Sequence, residues 1–291
     1  MTKEQASIYQ LAKKEYRTWP QPLSLGLKTS WRQTLKDDKS GLLSLLPLKV
    51  AADNRTITNN KHLVTRKLGA AALYLWTSAN LQDDLADKKI APKQNIFLAN
   101  ACLHSASKLS LEVGIKLKKS DYEQWRRLLL SSDAANLQEI QKPKKPPIGE
   151  LAPAGKSLFL LASLWLLSGF LNWKKVDRKK LLLAGKYFLA AKQLADDVYD
   201  YRDDWQAGRR NFAHRHLKKL PNPKQLPHYY RQQAQLILKL CEKCRLYTKT
   251  ISAFKKGDCF NLFIEPLEAN CQRALANLNQ AAGLSHKHSK N

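Results

Sequence analysis

The chain has 291 residues, which is enough for one large domain or two small ones, and 44% of them are hydrophobic. Its formal net charge of +26 favours an anionic partner, which can be nucleic acid, a membrane surface or an anionic substrate. The lysines are spread along the chain rather than gathered in one block, and no nucleic-acid-binding motif occurs. Nucleic-acid binding is therefore not expected as the main role.

Composition also bears on the fold class and the compartment. The chain has 11 glycines, no stretch that alternates polar and apolar residues, and many of the residues that favour helices. These features predict an all-α fold. The first residues, MTKEQASIYQ, lack the apolar core of a secretion signal, and the 5 cysteines are an odd number, so we expect a cytoplasmic protein.

The N-terminal part of the chain predicts short helices. An amphipathic helix is expected over residues 4–18, ended by Pro20, and one or two helices are expected over residues 23–52. Asp37 and Asp38 lie among lysines and have no third carboxylate one turn later, which predicts that both are on the surface. The polar residues 53–60 predict a loop.

A long helix from His62 to Asp87 is predicted next, and it ends in an acidic cluster. Its middle is apolar on nearly all sides, which predicts that it is buried. The cluster is D-D-x-x-D, formed by Asp83, Asp84 and Asp87 at the helix C-terminus, where the helix dipole disfavours anions and a metal ion would offset their charge. Arg66 and Lys67 lie about 25 Å from Asp83 along this helix, so they are excluded as partners of the same ligand.

The middle of the chain predicts two helices, a loop and a core helix. Pro92 opens a helix that ends near Gly114, and another is expected over residues 120–140. Residues 141–153 contain four prolines and predict a connection within one domain. The apolar run of residues 157–173 is at the lower limit for a membrane span, and serines interrupt it, which favours a core helix. Lys156 at its start is a candidate ligand for an anion.

A second acidic cluster lies in the stretch from Gly185 to Phe212. On a helix, three of its carboxylates share one stripe, and the fourth lies beside them; they are Asp196, Asp200, Asp204 and Asp197. Like charges on one stripe destabilise a helix, which indicates that a cation binds there. Carboxylate oxygens are ligands that suit Mg²⁺.

The C-terminal part predicts helices over residues 227–255 and 259–283 and a basic tail over residues 285–291. Cys241 and Cys244 form a C-x-x-C pair within a helical stretch that has no turn residues. Buried thiols are therefore expected here rather than a zinc site.

The two D-D-x-x-D clusters resemble the aspartate-rich motifs of the class I isoprenoid synthases, above all the trans-polyprenyl synthetases. The second motif of that family matches here at Gly185, Gln193 and the four aspartates from Asp196 to Asp204. The stretch GKSLFLLASLWLLSGF is similar to the family's K-T-x-x-L-F helix, with Lys156 and Ser157 at the Lys-Thr positions. The resemblance covers residues 63–212.

The resemblance implies a single-domain antiparallel helical bundle around a central apolar cavity, with divergent helices over residues 1–60. It implies a prenyl transferase that uses about three Mg²⁺ ions and acts on prenyl diphosphates. The implied catalytic residues are Asp83, Asp84, Asp87, Asp196, Asp197 and Asp200, and these six with Asp204 are the implied metal ligands. Implied diphosphate ligands are Lys88, Lys156, Gln193, Arg209 and Arg210. The implied chain-length residues are Leu75, Trp76, Ser78 and Ala79, of which Ser78 and Ala79 are small and indicate a product longer than the farnesyl chain.

Several positions depart from the family pattern and leave alternatives open. The early G-K-R stretch that holds isopentenyl diphosphate in the family is missing here. Lys88 and Lys89 replace the family's arginine pair, at a different offset from the first motif. Lys192 stands where the family has an aromatic residue. Asp200, Asp204 and Arg209 also resemble the second motif of squalene and phytoene synthases. The open alternatives are head-to-head prenyl coupling, terpene cyclisation, or a non-enzyme that is a degenerate partner subunit or binds an anionic surface. A homodimer or heterodimer and peripheral contact with an anionic membrane are further expectations.

Overall fold

The computed structural model describes residues 1–55, 60–87, 92–114, 117–140, 149–206, 211–213, 221–222 and 224–288. The α-helices are α1 (Lys3–Tyr16), α2 (Gln21–Asp37), α3 (Leu42–Asp53), α4 (Lys61–Asp87), α5 (Gln94–Gly114), α6 (Lys119–Ile140), α7 (Leu160–Phe170), α8 (Lys175–Tyr199), α9 (Tyr201–Gln206), α10 (Leu226–Lys249) and α11 (Asn261–His288). Two 3₁₀ helices cover Asp38–Ser40 and Ala152–Ser157. Within these ranges β-structure is limited to an isolated bridge between Asn54 and Phe254. The predicted all-α fold is confirmed.

The centre of the bundle is built from α4 and α7. Every residue of α7 from Leu160 to Ser168 is buried, and so is the middle of α4 from Leu68 to Leu75. Ser163 of α7 donates a hydrogen bond to the backbone carbonyl of Leu68 on α4 at 3.3 Å. The apolar run is thus a core helix, and in the described part of the chain no helix has the length and apolar character to cross a bilayer.

The helix α7 runs antiparallel to α4, since Phe159 before α7 contacts Trp76 and Ser163, further along, bonds to Leu68. It also runs antiparallel to α8, since a Cβ atom on Gly185 would meet Leu161 whereas Arg178 bonds to Ser168. The helices α4 and α8 therefore run in the same direction, and the two acidic clusters lie at the same end of the bundle.

Ala72 of α4 and Phe188 of α8 line one apolar void of about 10 Å³ in the core, together with residues of α3 and α7. From that level both helices continue to their C-termini, which carry Asp83 and Asp196. We call this the aspartate end. The opposite end, where Trp173 donates a hydrogen bond to Asn54 at 3.0 Å, is the distal end.

The helix predicted to begin at residue 157 begins instead at Leu160, so placing Lys156 inside an α-helix was wrong. Lys156 belongs to the 3₁₀ helix Ala152–Ser157. Its carbonyl accepts a hydrogen bond from the hydroxyl of Ser132 on α6. A Cβ atom on Gly155 would lie 3.1 Å from that of Ala135, so this segment packs closely on α6. These contacts hold the tighter 3₁₀ geometry before α7 starts.

The predicted surface position of Asp38 was also wrong, whereas Asp37 is exposed as expected. Asp38 has no solvent exposure, and its carboxylate accepts hydrogen bonds from the backbone N–H of Leu43 at 2.7 Å and the hydroxyl of Tyr9 at 2.9 Å. The Ser44 hydroxyl donates to it as well. Burial raises the pKa of the Asp38 carboxyl. The residue caps the N-terminus of α3 and ties α1 to it.

A close approach of α3 and α4 depends on Gly69. A Cβ atom at this position would lie 2.3 Å from the backbone carbonyl oxygen of Ser44, which cannot rotate away. Gly69→Ala is therefore expected to lower the free energy of unfolding by about 1–3 kcal/mol in urea denaturation, although alanine favours helices. Gly26→Ala is the control, because its Cβ meets only the flexible side chain of Leu98 at 3.3 Å. Equal stability of both variants would contradict this packing.

Candidate active site

The second acidic cluster spans the break between α8 and α9. The stretch is not one uninterrupted helix as predicted, because α8 ends at Tyr199 and Asp200 has φ −89° and ψ 6°. The backbone N–H of Asp200 still donates to the carbonyl of Asp196 at 3.0 Å, and that of Asp204 donates to the carbonyl of Asp200 at 2.9 Å. The helical spacing therefore continues through the break, and the three carboxylates keep one stripe.

Within this cluster the aspartates have different surroundings. Asp196 and Asp200 are exposed and Asp204 is half-buried, whereas Asp197 is buried. One oxygen of Asp197 accepts a hydrogen bond from Gln193 Nε2 at 2.8 Å, and the other accepts from the backbone N–H of Phe212 at 2.6 Å. Burial raises the pKa of Asp197 to about 6. The two hydrogen bonds and the nearby positive charge of Lys156 act in the opposite direction and lower this pKa, but burial has the larger effect.

Asn211 is a part of the site that the sequence analysis missed. Its side chain is buried, and Nδ2 donates to the backbone carbonyl of Asp197 at 2.6 Å and to the carboxylate of Asp204 at 2.9 Å. Asn211 thereby fixes the chain after α9 against the cluster and orients Asp204. In the sequence it is one more polar residue after Arg209 and Arg210, and no motif distinguishes it.

The segment that bears Lys156 lies close both to the second acidic cluster and to α4, the helix that bears the first cluster. Lys156 is close enough to Asp197 to act on its pKa, so the cation lies beside the second cluster. Three residues later, the ring of Phe159 lies 6.3 Å from that of Trp76 on α4, two turns before Asp83. The structure therefore brings Lys156 and the helix that bears the first cluster into one region at the aspartate end.

The first acidic cluster lies at the C-terminus of α4, where Asp83 is exposed and Asp84 is half-buried. The backbone of Asp87 closes the helix. The side chain of Asp87, and the predicted diphosphate ligands Lys88, Arg209 and Arg210, lie outside the described residues. Lys67, which we excluded from the site, pairs with Glu112 of α5 at 2.7 Å near the other end of the helix.

The four predicted chain-length residues line different sides of α4. Leu75 and Ser78 are buried, and the hydroxyl of Ser78 donates to the carbonyl of Ala99 on α5 at 3.1 Å. Ala79 and Trp76 are half-buried, and Trp76 Nε1 donates to Asp37 on α2 at 2.9 Å. Ser78 thus packs on α5, while Trp76 lies between α2 and the segment after Lys156.

The donor set of this end fits Mg²⁺. The groups are carboxylates, which are hard oxygen ligands. Among the described residues no three His, Cys, Asp or Glu side chains are grouped so that they could hold a metal ion by themselves. Mg²⁺ keeps several waters and is usually held by one or two carboxylates together with substrate phosphates, which is what exposed Asp196 and Asp200 can provide. The cluster is therefore suited to a metal that arrives with a phosphorylated ligand.

Lys192, which replaces the aromatic residue of the family, forms an ion pair with Asp196 at 2.7 Å. The pair is half-exposed, so its contribution is in the range of about 0.2–1 kcal/mol. If Asp196 binds Mg²⁺, the ion has to displace this lysine, and Lys192→Gln is then expected to lower the Mg²⁺ concentration at half-maximal rate by about two- to fivefold. Lys186→Gln, on the same helix, is the control. An unchanged Mg²⁺ requirement in Lys192→Gln would contradict a metal role for Asp196.

The predicted buried thiols are confirmed. All five cysteines are buried and unpaired: Cys102, Cys241, Cys244, Cys259 and Cys271. Burial raises the pKa of Cys241 to about 12, so this thiol stays protonated at neutral pH. The C-x-x-C pair belongs to no zinc-binding group in the described part of the chain.

Comparison with known proteins identifies the fold. No model of a known protein family matches the sequence, and no curated protein matches it significantly. Solved structures do match, among them the crystal structure of geranylgeranyl pyrophosphate synthase, with a TM-score of 0.64 over 95% of this chain and 99% of that chain, at 13% sequence identity. The chain therefore has the helical fold of this structure, as the resemblance of its aspartate-rich motifs implied.

Proposed function

We propose that the protein is a Mg²⁺-dependent prenyl transferase that ionises an allylic prenyl diphosphate and elongates it with isopentenyl diphosphate. The observation that supports this most is the arrangement of the aspartate end. Two helices that end in D-D-x-x-D run to the same end of one bundle, and the segment with Lys156 lies between them. The similarity to a geranylgeranyl pyrophosphate synthase structure supports the fold on which the proposal rests.

The proposed metal ligands are the aspartates of both clusters, Asp83, Asp84 and Asp87 with Asp196, Asp197, Asp200 and Asp204. When bound, about three Mg²⁺ ions would stabilise the negative charge that develops on the leaving diphosphate. Asp196 and Asp200 are proposed as direct ligands because they are exposed, whereas buried Asp197 is proposed to act mainly by holding the chain at Phe212 in place.

Cationic and polar side chains are proposed to bind the diphosphate. Lys156 supplies a positive charge beside Asp197, and Gln193 orients that carboxylate by donating a hydrogen bond to it. Lys88, Arg209 and Arg210 complete the proposed set. Fixed charges at the leaving group lower the barrier to breaking the carbon–oxygen bond, because they need no reorganisation as the bond ionises.

The apolar helices below the aspartates are proposed to shelter the carbocation from water. The walls are the buried faces of α4, α7 and α8, with leucine, alanine and phenylalanine side chains. Excluding water prevents capture of the cation before the second substrate attacks. The apolar void between Ala72 and Phe188 lies roughly 12 Å below Asp196 along α8, on the path that a growing chain would follow.

A product longer than the farnesyl chain is part of the proposal, because the residues one turn before Asp83 are small. Ala79→Phe is expected to shorten the product, which mass spectrometry of the dephosphorylated products would measure. Position 79 is half-buried and can accept a larger ring, whereas phenylalanine at the buried position 78 must also displace α5. Products of unchanged length from both Ala79→Phe and Ser78→Phe would contradict this location of the chain.

Coupling without isopentenyl diphosphate is the second candidate, favoured by the missing G-K-R stretch. Incubation of the protein with Mg²⁺ and farnesyl diphosphate, with and without isopentenyl diphosphate, separates the two by product mass. Products that grow in five-carbon steps only when isopentenyl diphosphate is present support elongation. A doubled chain or a cyclic hydrocarbon without it would support head-to-head coupling or cyclisation instead. Inactivity under all conditions would favour a degenerate partner subunit.

We further propose that the protein is cytoplasmic and forms a homodimer or a heterodimer.

A further inference from the structure

The distal end of the bundle carries a dense set of exposed cations. They come from four segments that are far apart in sequence: the end of α3, the start of α6, the start of α8, and the end of α10 with the turn after it. We name these residues the distal basic face; they are Arg55, Lys118, Lys119, Lys174, Lys175, Lys179, Lys249, Lys255 and Lys256, and all are exposed.

Hydrogen bonds hold these segments together as one surface. Lys180 Nζ donates to the carbonyl of Thr250 at 2.7 Å, which joins the start of α8 to the end of α10. Arg55 Nε donates to the carbonyl of Phe254 at 2.6 Å, which joins the turn after α10 to the end of α3. Arg178 pairs with Asp121 at 2.6 Å, which joins α8 to the start of α6.

Three carboxylates of this end point inward and do not neutralise the face. Asp53 accepts hydrogen bonds from the backbone N–H groups of residues 256–258, Asp177 accepts from the N–H of Ser252 at 3.0 Å, and Asp121 is held by Arg178. All three are buried. Within the four segments, the exposed carboxylates in the described chain are Asp258 and Glu123. Cations therefore dominate the surface that solvent or a partner meets.

We propose that the distal basic face docks the protein on a membrane that contains anionic phospholipids. Lysine dominates the face, and lysine acts as a point charge without the bidentate geometry that arginine uses on nucleic acids. Two aromatic side chains of this end, Trp173 and Phe254, pack edge to face on each other and are buried, so these two cannot stack on bases. Val176, which is 55% exposed between Lys175 and Lys179, adds an apolar contact for the headgroup region.

This docking would leave the aspartate end free. The axis of α8 separates Lys175 from Asp196 by roughly 30 Å, so the diphosphate site would face the water while the opposite end lies on lipid. The proposal does not depend on the reaction catalysed, since it rests on the distal end alone.

Sedimentation with vesicles tests the proposal. Wild-type protein is expected to bind phosphatidylcholine vesicles that contain phosphatidylserine and not vesicles of phosphatidylcholine alone. The variant Lys174→Gln/Lys175→Gln/Lys255→Gln/Lys256→Gln is expected to bind at least tenfold more weakly. The matched control is Lys14→Gln/Lys28→Gln/Lys36→Gln/Lys39→Gln, which removes the same charge from exposed positions on α1 and α2 and its continuation. Circular dichroism verifies that both variants are folded.

Two results would overturn the proposal. One is that the control variant loses as much vesicle binding as the distal variant, because then net charge alone drives binding. The other is tighter binding to single-stranded RNA than to phosphatidylserine vesicles at the same salt concentration, with the same loss in the distal variant, which would assign the face to nucleic acid. Raising the salt from about 0.1 M to about 1 M shortens the Debye length from about 10 Å to about 3 Å and should release the protein from the vesicles.

Discussion

Changing both Asp196 and Asp200 to asparagine is expected to lower the rate of Mg²⁺-dependent diphosphate release by roughly 10²–10³-fold or more. The two carboxylates are exposed, lie one helical turn apart and keep the helical spacing through the break after Tyr199. Asparagine keeps the size of the side chain and removes the negative charge that we propose to hold the metal. The measurement is the rate of release of inorganic diphosphate from an allylic prenyl diphosphate.

Glu242→Gln/Glu265→Gln is the matched control for this double variant. Both glutamates are exposed, on α10 and α11, and neither belongs to an acidic cluster. The control removes the same number of negative charges and should keep most of the activity. If it lost as much activity as the double variant, the general loss of negative charge would explain the result and a specific metal site would not.

Changing Asp38 to alanine is expected to lower the free energy of unfolding by about 2–4 kcal/mol. The loss leaves the N-terminus of α3 without its cap and leaves the hydroxyl of half-buried Tyr9 with fewer partners. Because α3 packs on α4, weakening the start of α3 reaches the core. Urea denaturation followed by circular dichroism measures the effect.

Asp37→Ala is the control for Asp38→Ala, since the two residues are neighbours with opposite exposure. Asp37 is exposed and accepts hydrogen bonds from Trp76 at 2.9 Å and Asn80 at 3.1 Å, so its loss should cost less than about 1 kcal/mol. Equal destabilisation by the two substitutions would show that the buried cap does not carry the stability that we assign to it.

The helical architecture could be predicted from the sequence because it depends on local patterns. The sequence indicated α4 within a few residues and placed the first cluster at its C-terminus, whereas the helical stretch expected from Gly185 starts ten residues after the observed start of α8 at Lys175. The common direction of the two helices depends on the long-range packing of both on α7. The sequence motifs alone do not predict that packing.

The inward or outward direction of individual carboxylates could not be predicted, because it is set by distant parts of the chain. Asp197 differs from Asp196 since Phe212 and Asn211 return over the helix and bond to it. Asp38 differs from Asp37 since α1 lies over it and brings Tyr9 close. Lys156 lies in a 3₁₀ helix since Ser132 of α6 binds its carbonyl. Each outcome depends on a tertiary contact that no local spacing encodes.

Release of inorganic diphosphate from geranyl, farnesyl and geranylgeranyl diphosphate tests the central claim most directly, with each substrate assayed with and without isopentenyl diphosphate. The account predicts release that requires Mg²⁺, stops on addition of EDTA and increases when isopentenyl diphosphate is present. Failure to release diphosphate from any of the three substrates, or release that continues at the same rate in EDTA, would contradict a metal-dependent site at the aspartate end.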